Sequence, residues 1–63
     1  MMKAKEILKI LQDDGWIEVR QKGSHKQFHH PTKKGTVTLS YHTGSDDIPK
    51  GTANNILKQA GLK

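Results

Sequence analysis

The sequence predicts an α+β fold of order helix, three strands, helix (αβββα), a three-stranded antiparallel sheet with two helices on one face. Three observations carry that prediction. Apolar residues recur at helical spacing near both ends of the chain and alternate with a two-residue period between them. The alternating runs are joined by short turns rich in glycine, serine and proline, which favours hairpins over crossovers. In a chain of 63 residues, the two amphipathic helices are the only cover available for an apolar sheet face.

Lys3 to Asp14 read as the first helix. Ala4, Ile7, Leu8 and Leu11 form its apolar stripe with Ile10 at the edge, while Lys3, Glu6, Lys9 and Asp13 lie off it. Gly15 follows the last turn, where a left-handed residue stops a helix; Asp13 and Asp14 oppose the helix dipole there. Trp16 to Lys22 is the first strand, with Ile17 and Val19 alternating with Glu18 and Arg20. Gln21-Lys22-Gly23-Ser24 turns into the second strand. Pro31-Thr32-Lys33-Lys34-Gly35 is the next turn, and Thr36 to His42 the third strand, with Val37, Leu39 and Tyr41 pointing one way. After the polar loop of Thr43 to Ile48, Pro49 suits a helix start. The second helix runs to about Ala60 with a stripe of Ala53, Ile56, Leu57 and Ala60; Gly61 ends it and Leu62 folds back over its last turn. The helices should therefore cover Ile17, Val19, Phe28, Val37, Leu39 and Tyr41. The open face should carry Glu18, Arg20, His25, Gln27, His29, Thr38, Ser40 and His42.

Residues 1–63 are expected to form one small domain, burying only ~60% of its unfolded surface. There is no cysteine, hence no disulfide and no thiolate zinc site. No apolar run is long enough to span a bilayer and no signal-peptide pattern opens the chain, so a cytoplasmic protein without a membrane partner is expected. Eleven Lys and Arg oppose six Asp and Glu, a formal balance of +5 on 7.1 kDa. Such a charge excess serves nucleic-acid binding or an acidic protein partner.

The chemistry concentrates in Gly23-Ser24-His25-Lys26-Gln27-Phe28-His29-His30-Pro31, which holds three of the four histidines and the only phenylalanine. On a strand, His25, Gln27 and His29 share one side, and Lys26, Phe28 and His30 the other. The first side presents imidazoles to solvent while Phe28 enters the core. A zinc site from His25, His29 and His42 lacks carboxylate neighbours and any familiar ligand spacing. Trp16 and Tyr41 read as core residues. Ser24 is a turn former, with no oriented base and acid to make it a nucleophile. Lys33 and Lys34 read either as a solvated turn or as phosphate contacts.

Gly23-Ser24-His25, followed by Phe28 and His30-Pro31, resembles the signature of the HicA mRNA interferase toxins. Ile48-Pro49-Lys50-Gly51-Thr52, followed by Ile56-Leu57-Lys58-Gln59-Ala60-Gly61, is similar to that family's C-terminal helix, and the first helix and the Gly15-Trp16 junction match as well. The resemblance covers nearly the whole chain. Two positions depart from it: Ser40 stands where a proline often precedes the histidine of the third strand, and Ala53-Asn54-Asn55 where leucine and an arginine are common. The resemblance implies a double-stranded-RNA-binding-domain-like fold and a type II toxin that cleaves mRNA without a metal or other cofactor. It further implies His25 as the essential residue and a HicB-type antitoxin that blocks the site in a hetero-oligomer.

Cleavage of RNA without a metal requires a base for the ribose 2′-hydroxyl, charge stabilisation at phosphorus and a proton for the leaving oxygen. Histidine suits either proton transfer. His25 is the candidate catalytic residue. Lys22 and Lys26 flank it as phosphate ligands, the Gly23 and Ser24 amides add donors, and Lys33 and Lys34 extend the RNA-binding set. His29, on the same strand side and placed at ~6–7 Å, is a reachable second proton carrier. A non-catalytic RNA-binding module is the alternative, separated from the nuclease by whether product formation depends on His25.

Overall fold

A computed structural model describes residues 2–63. The chain runs β1 (Met2–Lys3), α1 (Ala4–Asp13), β2 (Ile17–Lys22), β3 (His25–His29), β4 (Val37–Ser40), β5 (Asp47–Ile48) and α2 (Lys50–Gln59). β2, β3 and β4 form an antiparallel sheet in that order, which is the expected helix, three strands, helix arrangement. Strands β1 and β5 add a two-stranded antiparallel pair, Met2 opposite Ile48 and Lys3 opposite Asp47. This pair lies beyond sequence reasoning, because two-residue strands 44 positions apart leave no periodicity. It has a clear use: the loop before β5 caps α1. Asp46 and Gly44 carbonyls accept from the Ala4 and Lys5 amides at 2.8 and 3.1 Å, and Glu6 accepts the Lys3 amide at 2.8 Å. Three amides at the start of the helix thus find acceptors.

Both helices end as expected. In α1, Gly15 at φ +100° lets its amide reach the Gln12 carbonyl while the Trp16 amide reaches that of Leu11, each at 3.0 Å. This is a Schellman motif, and its usual apolar contact is supplied by Trp16 and Leu11, both buried. α2 closes in the same way through Gly61 and Leu62, onto the carbonyls of Lys58 and Leu57.

One core joins the helix stripes to the sheet. It contains Ala4, Ile7 and Leu11 of α1, Ala53, Ile56 and Ala60 on the α2 side, and Trp16, Phe28, Val37, Leu39 and Ile48. Phe28, paired with Val37 and fully enclosed, contributes about 1.5–3 kcal/mol by its burial.

The expected facing of the first sheet strand is corrected. Alternation points Ile17 and Val19 into the core, yet they are 60% and 48% exposed. Two causes act together. The helices lie over β4, leaving every residue of β2 exposed at the far edge. The register also shifts between Glu18 and Arg20, a bulge at Val19. Ile17 pairs with His29 and so faces away from the helices, whereas Glu18 pairs with Phe28 and shares the helix-side face. The third strand is also shorter than expected. Beyond Ser40 the Tyr41 amide turns to the Ser24 carbonyl at 2.6 Å and the His42 amide to the Asp46 carboxylate at 2.7 Å.

Candidate functional site

A two-residue hairpin, Gly23-Ser24, joins β2 to β3. Gly23 has φ +59° and Ser24 does not have positive φ, the combination a type II′ hairpin requires. That loop length fixes the register, setting Lys22 directly opposite His25 with Ser40 on the other side of His25. Side chains of such cross-strand pairs leave the sheet on the same face, with Cβ atoms ~4.5–5.5 Å apart. His25 is exposed, and its ring, unlike those of His29 and His30, makes no hydrogen bond among the described residues. The turn is held from behind: Gln21 Nε2 donates to the Gly23 carbonyl at 3.0 Å, and the Tyr41 amide to that of Ser24. The turn amides donate to no backbone acceptor there. Among the described residues no pocket is formed, so this is an open surface site.

Of the expected site residues, Lys22, Gly23, Ser24 and His25 come together at this hairpin. Lys26 is one residue out of phase and lies on the helix-side face. Its ammonium is 2.9 Å from Glu18, 3.1 Å from Gln21 Oε1 and 5.0 Å from the centre of the Tyr41 ring, with 15% of the side chain exposed. Lys33 and Lys34 sit beyond the opposite end of β3. Lys33 is 2.5 Å from the Asp14 carboxylate and donates to the Ala60 carbonyl at 2.9 Å, tying the ends of the two helices together. Lys34 is exposed.

The remaining histidines divide by position. His29 lies four residues beyond His25, or ~13 Å along the strand, twice the separation expected above. Its Nε2 is 3.2 Å from Thr36 Oγ1, so it does not share the phosphate that His25 would serve. The His30 side chain is 9% exposed. Its Nε2 donates to the Asp14 carbonyl at 2.7 Å, Nδ1 accepts the Thr32 and Lys33 amides at 3.1 Å each, and the ring meets Trp16 edge-on at 5.1 Å. His42 is exposed in the following loop. Among the described residues no three His, Asp or Glu side chains converge as metal ligands.

Arg20, expected on the open face but not among the site residues, lies there as a companion of His25. Counted from the hairpin, the register sets Lys22 opposite His25 and Arg20 opposite Gln27. The bulge then shifts the start of the strand, so that Glu18 rather than Val19 pairs with Phe28. No residue type announces this bulge. The pairing of Lys22 with His25 was legible, because a Gly-Ser loop of two residues permits no other.

The family profile of the HicA toxin of bacterial toxin–antitoxin systems matches residues 4–62. The chain belongs to the HicA toxin family. No curated protein matches it. The HicA profile spans both helices and the whole sheet, so the hairpin bearing His25 lies inside the matched region. Membership makes the chain the toxin half of a toxin–antitoxin pair. Among the described residues no helix is long and apolar enough to cross a membrane.

Proposed function

We propose that this HicA protein is a metal-independent endoribonuclease that cleaves mRNA with His25, and that a HicB-type antitoxin neutralises it by covering the hairpin. The observation that carries the reading is the position of His25: solvent-facing, at a rigid two-residue turn, with a lysine directly across the strand pair and no competing hydrogen bond. In the proposed step a ring nitrogen of His25 takes the proton of a ribose 2′-hydroxyl. The 2′-oxygen bonds to the adjacent phosphorus as the bond from phosphorus to the 5′-oxygen breaks, and that oxygen takes a proton from Lys22 or from solvent. The products are a 2′,3′-cyclic phosphate and a 5′-hydroxyl. Lys22 and the Gly23 and Ser24 amides hold the charge that builds on the phosphate oxygens. One histidine without an orienting partner contributes ~10²–10⁴ in rate, which suits a toxin that acts slowly on abundant message.

Lys26, Lys33 and Lys34 enter the RNA-binding set differently from Lys22. Lys26 supports the hairpin through Glu18 and Tyr41 and adds positive potential from beneath the sheet; Lys33 and Lys34 meet RNA that extends past the far end of β3. The absence of an orienting partner for His25 also favours a second reading, a non-catalytic RNA-binding module. Incubating mRNA with wild type and His25→Ala separates the two. Cyclic-phosphate products from wild type alone, with an unchanged melting curve and intact antitoxin binding for the variant, are expected. Equal cleavage by His25→Ala removes that residue from the mechanism, and no cleavage by either leaves the binding module.

A further inference from the structure

The sheet face opposite the helices is a cationic surface with no acid on it. By pairing, it carries three cross-strand rows: Lys22, His25 and Ser40; then Arg20, Gln27 and Thr38; then Ile17 and His29. All six acidic residues are engaged elsewhere. Glu6 accepts the Lys3 amide and Asp46 the His42 and Thr43 amides, while Asp13, Asp14, Glu18 and Asp47 pair with Lys9, Lys33, Lys26 and Lys3. Those pairs consume lysines off the open face and leave Arg20 and Lys22 without an acidic partner among the described residues.

Resting on the ribonuclease reading, we infer that single-stranded RNA lies across this open face, with the reacting phosphate at the His25 row and the neighbouring nucleotide at the row of Arg20, Gln27 and Thr38. Three features select a single strand. Successive rows are ~6.6–6.8 Å apart, in step with the phosphates of an extended chain, and the outer strands are only ~10 Å apart. Double-stranded-RNA-binding domains span ~16 base pairs, far beyond the length of this sheet. Gln27, Thr38 and Ser40 offer amide and hydroxyl groups to base edges that only an unpaired strand exposes. The face has no tryptophan, phenylalanine or tyrosine for stacking, since Trp16 and Phe28 are buried and Tyr41 lies against Lys26. Recognition therefore rests on phosphate charge and short polar contacts, and tolerates many base sequences. The two-residue hairpin sets Arg20 on this face, because counting back from the pair of Lys22 and His25 places Arg20 opposite Gln27.

The test uses the full chain and a short 2′-O-methyl RNA, which binds without being cleaved, as a single strand and annealed to its complement. The single strand is expected to bind at least tenfold more tightly than the duplex. Arg20→Gln should lower the slope of log K against log salt by about 0.7, the value of one single-strand phosphate contact. Thr38→Glu should weaken binding about tenfold through like-charge repulsion with phosphate. Lys50→Gln and Lys58→Gln, on exposed positions of α2, should leave the slope unchanged. Melting curves confirm that each variant folds. Tighter duplex binding, or loss of slope from the α2 variants and not from Arg20→Gln, overturns the track. So does a result in which the sheet-face variants keep RNA but release the antitoxin, which would assign the face to the protein partner. Cleavage of ordinary RNA by the same variants distinguishes the two readings. His25-dependent cleavage that ignores Arg20 and Thr38 overturns the track alone, whereas a wild type that neither binds nor cleaves RNA overturns both.

Discussion

His30→Ala is expected to unfold this protein near body temperature, although His30 takes no part in the proposed chemistry. Removal of the ring orphans the Thr32 and Lys33 amides and the Asp14 carbonyl, all now within 3.1 Å of its nitrogens. Each orphaned group costs about 1–3 kcal/mol when sealed from water. Water reaches this partly buried site once the ring is gone, so the lower bound applies to each. The edge-on contact with Trp16 adds about 0.5–1.5 kcal/mol. The loss is thus about 3.5–4.5 kcal/mol, against a total of roughly 3–9 kcal/mol for a chain of 63 residues. The unfolding entropy is about 2.1 cal/mol/K per residue, or ~0.13 kcal/mol/K for the chain, so the midpoint should fall by more than about 20 °C. Thermal melts at neutral pH by circular dichroism measure this, with the neighbouring His29→Ala as the control. His29 is exposed with one side-chain partner, and its loss should stay within about 4 °C. A His30→Ala midpoint as close to wild type as that of the control would refute the structural role given to His30.

Further outcomes follow from the same geometry. Gly15→Ala should destabilise more than Gly23→Ala in the same melts: both glycines have positive φ, which costs a side-chain-bearing residue about 1–2 kcal/mol, but a Cβ at Gly15 would sit 3.0 Å from His30 Nε2 and one at Gly23 meets nothing within 4 Å. Equal effects would show that crowding against His30 is unimportant. Acid should unfold the chain as pH falls below about 4. The hydrogen bond from Lys33 holds the Asp14 carboxyl below its ordinary value of 3.8, and the Thr43 and His42 amides do the same for Asp46. A depressed folded value means stability present above the unfolded value and lost as pH drops through the folded one. Denaturation by urea across pH 2–6 should therefore show a steeper acid loss in wild type than in Asp14→Asn.

Much of the fold was legible because the helices obey local rules. The stripes of Ala4, Ile7 and Leu11 and of Ala53, Ile56, Leu57 and Ala60 are all buried, and Gly15 and Gly61 end their helices where glycine is needed. Phe28, Val37 and Leu39 also face the core as their alternation required. The first strand of the sheet misled because Ile17-Glu18-Val19-Arg20 alternates like a half-buried strand while lying beyond the reach of the helices. Alternation reports a periodic surface, but whether anything covers that surface is decided by helices far away in sequence. The ion pairs of Lys26 and Lys33 escaped for a similar reason. Their partners, Glu18 and Asp14, are brought close only by strand register and by the packing of the turn onto the end of α1.

On the proposed function, the histidines of this stretch show how little sequence distance is needed to separate chemistry from support. A reactive imidazole must reach solvent and keep its nitrogens free, whereas a structural one must be enclosed with both nitrogens engaged. His25 and His30 meet these opposite demands five residues apart. An odd offset sends them to opposite sides of a two-residue repeat, and the four-residue spacing from His25 to His29 keeps those two on one face. Glycine at position 15 leaves the space that the His30 ring fills, so the helix stop and the histidine lock form one unit at one end of β3. The hairpin at the other end is held by Gln21 and by the Tyr41 amide, so His25 can stand exposed with its own ring free of any bracing role.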